Sequence, residues 1–177
     1  MSTFVTTVAT FGRVVSAIGV YLLCFPGACA EASVTWPIQQ SAGRFTIRSQ
    51  VGIPPDLLAN LRALETDIAQ TLQLNVGESP IVIHLFRNHR EQVQYLTVRV
   101  PVAANRFACF VQGTDAGRVY LHAHQDWEKD LRHELTHAVL HSALPYVPLW
   151  LDEGLAQYFE ATPKERTHFQ PYGADVR

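Results

Sequence analysis

The motif His133-Glu134-Leu135-Thr136-His137 constrains this chain more than any other feature of its sequence. On a helix, side chains four positions apart lie about 40° apart around the axis and about 6 Å apart along it, so both imidazoles can reach one metal ion. Glu134 projects about 60° from His137, which places its carboxylate beside the metal rather than on it. The motif therefore predicts a metal-binding helix with a carboxylate base next to the metal.

Glu153 is the expected third ligand, because it lies sixteen positions after His137 within Trp150-Leu151-Asp152-Glu153-Gly154-Leu155-Ala156. A catalytic zinc takes three protein ligands and leaves a fourth position for water. The intervening residues are enough to end one helix, turn at the prolines of segment 144–148 and begin a second helix. The lack of bulk at Gly154 and Ala156 predicts that the second helix packs closely on the first.

This pair of helices resembles that of the gluzincin zinc metallopeptidases, which belong to the MA-like group, over residues 119–160. The resemblance implies that His133, His137 and Glu153 bind Zn²⁺ and that Glu134 polarises the metal-bound water. It also implies an α+β, zincin-like fold over residues 31–177. In that fold a small twisted mixed sheet packs on the HExxH helix, and a glutamate-bearing helix follows. The implied activity is hydrolysis of peptide bonds in a peptide or protein substrate.

Two rival zinc patterns are excluded by the sequence. The metzincin extension needs glycine at position 140 and histidine at position 143, where this chain has Leu140 and Ala143. It also needs a downstream methionine turn, but the only methionine is Met1. The inverted HxxEH order is absent as well, which leaves a glutamate as the third ligand.

An ordinary amphipathic helix with its histidines in solvent is the alternative interpretation of the motif. Its core-facing stripe would consist of Leu131, Leu135, Ala138, Val139 and Ser142. Leu140 and Leu144 project on the histidine side, however, and would be exposed if that side faced only water. Their presence favours a helix whose histidine face is covered.

Two features depart from the gluzincin pattern. Many gluzincins carry an acidic residue four positions after the glutamate ligand to orient a histidine, and Gln157 stands there, so Asp152 or Glu160 would have to substitute. Only 24 residues follow Glu153, so the usual helical lower half would be missing.

The nearby candidates for binding the oxyanion are Tyr158, His168 and Tyr172. The competing function is a secreted, non-catalytic domain that binds zinc or peptides, or a degenerate peptidase. A structural zinc is normally closed by four protein ligands, and only three are found here, which favours the enzyme.

The N-terminal residues have the composition of a signal peptide. Arg13 precedes an apolar run over residues 14–25, and Ala28-Cys29-Ala30 follows as a cleavage signal. We therefore expect residues 1–30 to be removed and the protein to be exported, either secreted or periplasmic. The run is shorter than a membrane span; a retained N-terminal membrane anchor is the alternative, and lipid modification of Cys29 is a third possibility. After cleavage only Cys109 remains, as a buried small hydrophobe.

Composition limits the remaining classes of function. A chain of 177 residues with 47% hydrophobic residues supports one domain with a substantial core. Its formal charge of -2 and the lack of a basic run exclude nucleic acid and an anionic membrane surface as expected partners.

The order of elements is predicted as strand, helix, strand, helix, two strands and two helices. Their ranges are 43–51, 55–74, 80–86, 88–98 with Asn88 as cap, 106–112 and 118–121, followed by the metal helix opening at Asp126 and the glutamate helix. Residues 107–113 would form an edge strand able to hold an extended peptide, or else an ordinary hairpin strand. His141 is expected near the helix C-terminus, and His122 and His124 have no assigned role.

Overall fold

The computed structural model describes residues 34–166, which contain five strands and five helices. The strands are β1 (Ile38–Ala42), β2 (Phe45–Ser49), β3 (Ile81–Phe86), β4 (Ala108–Gln112) and β5 (Gly117–His122). The helices are α1 (Leu57–Leu72), α2 (His89–Arg99), α3 (Trp127–Ala143), α4 (Leu149–Glu160) and the single turn α5 (Pro163–Arg166). A 3-10 turn, Pro101–Ala103, lies between α2 and β4.

The strands form one mixed sheet in the order β1-β2-β3-β5-β4. Strands β2, β3 and β5 run parallel, whereas β1 and β4 are antiparallel to their neighbours. The α+β class with a small mixed sheet is therefore confirmed. So is the edge position predicted for residues 107–113, because β4 ends the sheet within the described part of the chain.

Strand β1 and the helical turn α5 were not predicted. The three central residues of β1, Gln39 to Ser41, are exposed, so the strand carries no apolar alternation for sequence analysis to detect. A tight turn at Gly43 and Arg44 joins β1 to β2, with Ala42 paired to Phe45. Gly43 has a φ of 60°, a left-handed conformation that glycine adopts without steric cost.

The larger hydrophobic core lies between the sheet and helices α1, α3 and α4. The apolar stripe predicted for α1 is buried at Leu57, Leu61, Leu64 and Ile68. Burying side chains of this size contributes about 1.5–3 kcal/mol each. This core fixes α3 on the sheet, and α3 is the helix that carries the HExxH motif.

A smaller core lies on the other face of the sheet, because side chains alternate along each strand. It contains Phe86, Leu96, Ala103, Ala104, Cys109 and Tyr120, with Trp36 and Tyr95 packed against it. Helix α2 covers this face. Its predicted cap is confirmed, since the Asn88 side chain accepts a hydrogen bond from the Glu91 backbone N–H at 3.0 Å.

Residues 1–30, which carry the predicted signal peptide, lie outside the described residues. Among residues 34–166, every helix is too short or too polar to cross a membrane. Cys109 is a free, buried thiol, as the sequence predicted.

Candidate metal centre

Helices α3 and α4 bring the three predicted ligands together. His133 and His137 lie one turn apart on α3, and Glu153 lies in the first half of α4. The Nε2 atom of His133 is 3.5 Å from Oε2 of Glu153, and that of His137 is 4.0 Å from the same oxygen. All three potential ligand atoms lie within 4.8 Å of one another.

This donor group fits a divalent metal in type and in spacing. Two imidazole nitrogens and one carboxylate oxygen are a common ligand set of catalytic zinc, with ligands at about 2.0–2.2 Å from the ion. Tetrahedral geometry at those lengths places ligand atoms roughly 3.3–3.6 Å apart, close to the separations between Glu153 and the two histidines. The group of His133, His137 and Glu153 could therefore hold a metal ion.

A second carboxylate stands behind each histidine and sets its orientation. Nδ1 of His133 lies 3.0 Å from Oε2 of Glu160, and Nδ1 of His137 lies 2.9 Å from Oδ1 of Asp152. A carboxylate only accepts hydrogen bonds, so we assign the proton of each neutral ring to Nδ1. The lone pairs on Nε2 then face the Glu153 carboxylate, and a cation between these three acceptors would stabilise them.

Asp152 and Glu160 thus stand where they can orient the histidines, the role that gluzincins give to an acidic residue at the position of Gln157. The sequence offered either residue as a substitute, and the structure places both against ring nitrogens, one for each histidine. Gln157 itself is exposed. Each of the two histidines therefore has its own carboxylate neighbour, an arrangement common among histidines that bind a metal.

Asp152 links two histidines on successive turns of α3. Its Oδ2 atom lies 3.0 Å from Nε2 of His141. Its Oδ1 atom lies 2.9 Å from Nδ1 of His137, a close contact that falls outside hydrogen-bond geometry, and neither of these two atoms has a hydrogen-bond partner among residues 34–166. Burial opposes ionisation of the Asp152 side chain. The interactions with His137 and His141 outweigh that effect and lower the pKa of Asp152 below its usual value.

Arg132 and Lys129 hold Glu160 at the end of α4. Nζ of Lys129 lies 3.0 Å from Oε1 of Glu160. The guanidinium of Arg132 donates to the backbone carbonyls of Phe159, Glu160 and Ala161 at 2.9–3.1 Å. These carbonyls have no partner within the helix, so Arg132 satisfies the C-terminus of α4. Sequence analysis missed Arg132 because its acceptors lie 27 to 29 residues away.

Glu134 lies beside the three donors without belonging to their group. Burial is the main influence on its carboxyl and raises its pKa above the usual value. The nearby His137 and His133 act in the opposite direction, as does a hydrogen bond from the Phe110 backbone. A carboxylate with a raised pKa in this position is suited to accepting a proton.

The donors open onto a cavity of about 580 Å³, which we call the metal cleft. One wall is β4 with the preceding segment 100–106, and the other is formed by α3 and α4. Cys109 lies in the first wall, where burial foremost, and then the charge of Glu134, raises its thiol pKa to about 12. That thiol is therefore neutral at physiological pH.

The expectation for Gly154 was wrong. A Cβ atom added at Gly154 would meet no atom within 4 Å, so this residue is not what permits close helix packing. Ala156 is fully buried and does lie in the packed part of α4. The difference follows from helical geometry, because residues two positions apart point about 160° away from each other.

Tyr158 does not line the metal cleft. It lies in a neighbouring cavity on the other side of His133, with the Arg166 guanidinium 4.8 Å from the centre of its ring. His168 and Tyr172 lie outside the described residues. Tyr158, the one candidate within residues 34–166, is therefore not placed to bind an oxyanion at the metal centre.

The alternative of a simple solvent-exposed histidine face does not describe α3. Leu140 is fully buried, Leu144 packs partly against the core, and His137 is only 8% exposed. In the stripe predicted for the opposite side, Leu131, Leu135, Ala138 and Val139 are buried and Ser142 is half-buried. The histidine side of α3 is thus partly covered by packed side chains and borders the cleft, rather than lying wholly in solvent.

Comparison with known proteins leaves this site to be interpreted from its own chemistry. No protein-family model matches the chain, and no curated protein matches its sequence. The resemblance to gluzincins drawn from the HExxH helix and the glutamate helix therefore stays a prediction.

Proposed function

We propose that the protein is a zinc metallopeptidase of the gluzincin type, which hydrolyses peptide bonds. The observation that carries this proposal is the convergence of His133, His137 and Glu153 in an open cleft with Glu134 beside them. Three protein donors leave one coordination position of the metal for water, whereas a structural zinc site normally has a fourth protein ligand there.

The chain's own residues supply the remaining parts of a hydrolytic site. Zinc, when bound, would supply Lewis-acid chemistry and lower the pKa of a bound water toward about 7. Glu134 accepts the proton of the attacking water and passes it to the leaving amine. Asp152 and Glu160 keep the two imidazoles in the ligating orientation throughout.

Strand β4 supports a peptide as the substrate. It pairs with β5 along one side only within residues 34–166, and its other side borders the metal cleft. An edge strand can bind an extended chain through main-chain hydrogen bonds, independent of the substrate's sequence. The Phe110 backbone lies close to Glu134, so a chain bound along β4 would pass next to the base.

The test combines metal analysis with cleavage of a quenched-fluorescence peptide library. We expect one zinc per chain, cleavage that a chelator stops, and recovery when zinc is returned. Glu134→Gln should keep the zinc and lose about 10²–10⁴-fold in kcat, because it removes the proton acceptor. Glu128→Gln changes an exposed acid on the same helix and should retain full activity.

Two results would contradict this function. Undiminished cleavage by Glu134→Gln would refute the role of that residue. Stoichiometric zinc with no cleavage of any library member would favour the alternative, a zinc-containing domain that binds peptides without cutting them.

We also propose that the protein is exported after removal of residues 1–30. This proposal rests on the sequence of that segment alone. N-terminal sequencing of the mature protein tests it, since a chain that begins at residue 31 supports cleavage and one that begins at Met1 contradicts it.

A further inference from the structure

The metal cleft contains one basic residue that the proposed function does not use. Arg106 is the only arginine or lysine lining the cavity among the described residues. The acids that share the cavity, Glu134, Asp152 and Glu153, each already have a role as base, histidine partner or ligand. Arg106 therefore provides a separate positive charge at the cleft.

The backbone of Arg106 is held in place from both sides. Its N–H donates to the Ala103 carbonyl at 3.1 Å, and its carbonyl accepts from Nε2 of Gln92 at 3.0 Å. Gln92 is fully buried, and its Oε1 atom lies 2.7 Å from Nδ1 of His122, also buried. This buried polar chain fixes the point from which the Arg106 side chain extends.

The guanidinium of Arg106 has no hydrogen bond or ion pair within residues 34–166, and the residue is exposed. Arg118, by contrast, is paired with Asp115 at 2.7 Å, and Arg132 binds three carbonyls. A guanidinium presents five N–H donors in a plane that matches a carboxylate with two parallel hydrogen bonds. A fixed backbone and an unpaired head group are the properties expected of a ligand-binding arginine.

Arg106 also lies on the path of a chain bound along β4. It precedes β4 by two residues and precedes Phe110, whose backbone contacts Glu134, by four. At about 3.3 Å per residue of extended chain, these four residues span at most roughly 13 Å, which an extended substrate covers in about four residues. Cys109 lies between Arg106 and Phe110 in the sequence. Burial raises the pKa of its thiol most, the charge of Glu134 raises it further, and the charge of Arg106 lowers it.

We propose that Arg106 binds a carboxylate of the substrate and makes the enzyme selective for a negative charge within about four residues of the cleaved bond. This inference rests on the proposed peptidase function. The carboxylate has two possible sources, an Asp or Glu side chain within the peptide or the free carboxylate at its C-terminus. The first makes the enzyme selective for acidic sequences, and the second makes it a carboxyl-end peptidase.

Matched peptides distinguish these sources. In the first set, a Glu is placed at each of the four positions on either side of the cleaved bond and is compared with Gln at the same position. In the second set, peptides with a free C-terminal carboxylate are compared with their C-terminal amides. We expect the zinc-loaded wild type to favour one negatively charged set by about tenfold or more in kcat/KM. Arg106→Gln should bring the ratio of kcat/KM between charged and neutral peptides close to one. Arg106→Lys should retain part of the wild-type preference.

Arg90→Gln is the matched control, because Arg90 is an exposed arginine of α2 outside the cleft. It should keep the wild-type ratio between charged and neutral peptides. Arg106→Glu should reverse the preference, so that a Lys peptide is cleaved faster than the corresponding Glu peptide. An unchanged ratio in both Arg106→Gln and Arg106→Glu would overturn the proposal.

A binding measurement separates failure of this inference from failure of the proposed function. Fluorescence anisotropy with the same labelled peptides and the Glu134→Gln protein reports affinity without any cleavage. Tighter binding of charged peptides that Arg106→Gln removes supports the carboxylate site even if the wild type cleaves nothing. Equal binding of charged and neutral peptides overturns the carboxylate site even if the wild type is an active peptidase.

Discussion

Two buried histidines on opposite faces of the sheet have contrasting surroundings. His137 on α3 is 8% exposed and lies between the carboxylates of Asp152 and Glu153. His84 on β3 is 2% exposed and is surrounded by aromatic rings. Its ring centre lies 4.9 Å from that of Tyr120 and 5.2 Å from that of Trp36.

The surroundings determine what each imidazole can do. Burial chiefly, and then the charges of Arg48, Arg118 and Arg99, lowers the pKa of His84 to about 3. Its Nδ1 atom has no hydrogen-bond partner within the described residues. His84 is therefore a neutral part of the core, whereas His137 has a carboxylate close to each of its ring nitrogens. Burial alone does not distinguish the two histidines; the carboxylates around His137 do.

Metal content gives the largest expected difference between the two histidines. His137→Ala should abolish stoichiometric zinc binding, because two ligands remain where three are needed. His84→Phe should keep one zinc per chain, since it lies on the other face of the sheet. Metal analysis after dialysis measures both, and retention of zinc by His137→Ala would remove the basis of the comparison.

The carboxylates behind the ligands give a smaller effect. Asp152→Asn and Glu160→Gln should each weaken zinc binding about 10–100-fold while leaving all three ligands in place. Competition with a chromophoric chelator measures the change in Kd. Gln157→Ala alters an exposed position on the same helix and should leave Kd unchanged. Equal affinities for all these proteins would show that the contacts seen at Nδ1 are unimportant for the metal.

The smallest effect is the pH dependence that His84 gives to folding stability. Between pH 6.5 and about 3, the unfolded chain protonates His84 and the folded protein does not. The unfolded state then binds more protons, so the free energy of unfolding decreases as the pH is lowered through this range. At pH 5 the loss relative to neutral pH amounts to roughly 2 kcal/mol.

Chemical denaturation of metal-free wild type and His84→Phe at pH 7, 6 and 5 checks this expectation. Both proteins share every other titrating group, so the difference between their free energies of unfolding isolates the imidazole. The wild type should lose stability relative to the variant as the pH decreases. Parallel curves would mean that His84 is protonated within the fold.

Sequence analysis predicted which three side chains come together because their positions are defined by local geometry. The i, i+4 spacing of His133 and His137 depends only on a helix forming there, and Glu153 needs one further turn and helix. The helix cap at Asn88 and the apolar stripe of α1 likewise depend only on residues that are close together in the sequence. Each of these was found where the sequence placed it.

What sequence analysis missed depends on contacts between distant segments. Arg132 acts on carbonyls at the end of another helix, and Gln92 holds Arg106 across fourteen residues. Strand β1 is defined by its pairing with β2 rather than by its own exposed residues. The error at Gly154 arose because small size was taken as a sign of packing, without knowing which side of α4 faces α3.

The position of α4 is set at both of its ends by α3. Asp152 near its start contacts His137 and His141, and Arg132 binds the carbonyls at its end. Pro145 and Tyr146, in the loop that joins the two helices, are exposed, whereas Val147 in the same loop is buried in the larger core. A residue inserted beside Pro145 or Tyr146 should therefore leave the three donors close together, whereas a residue inserted between positions 152 and 160 would rotate the two anchors out of phase by about 100°.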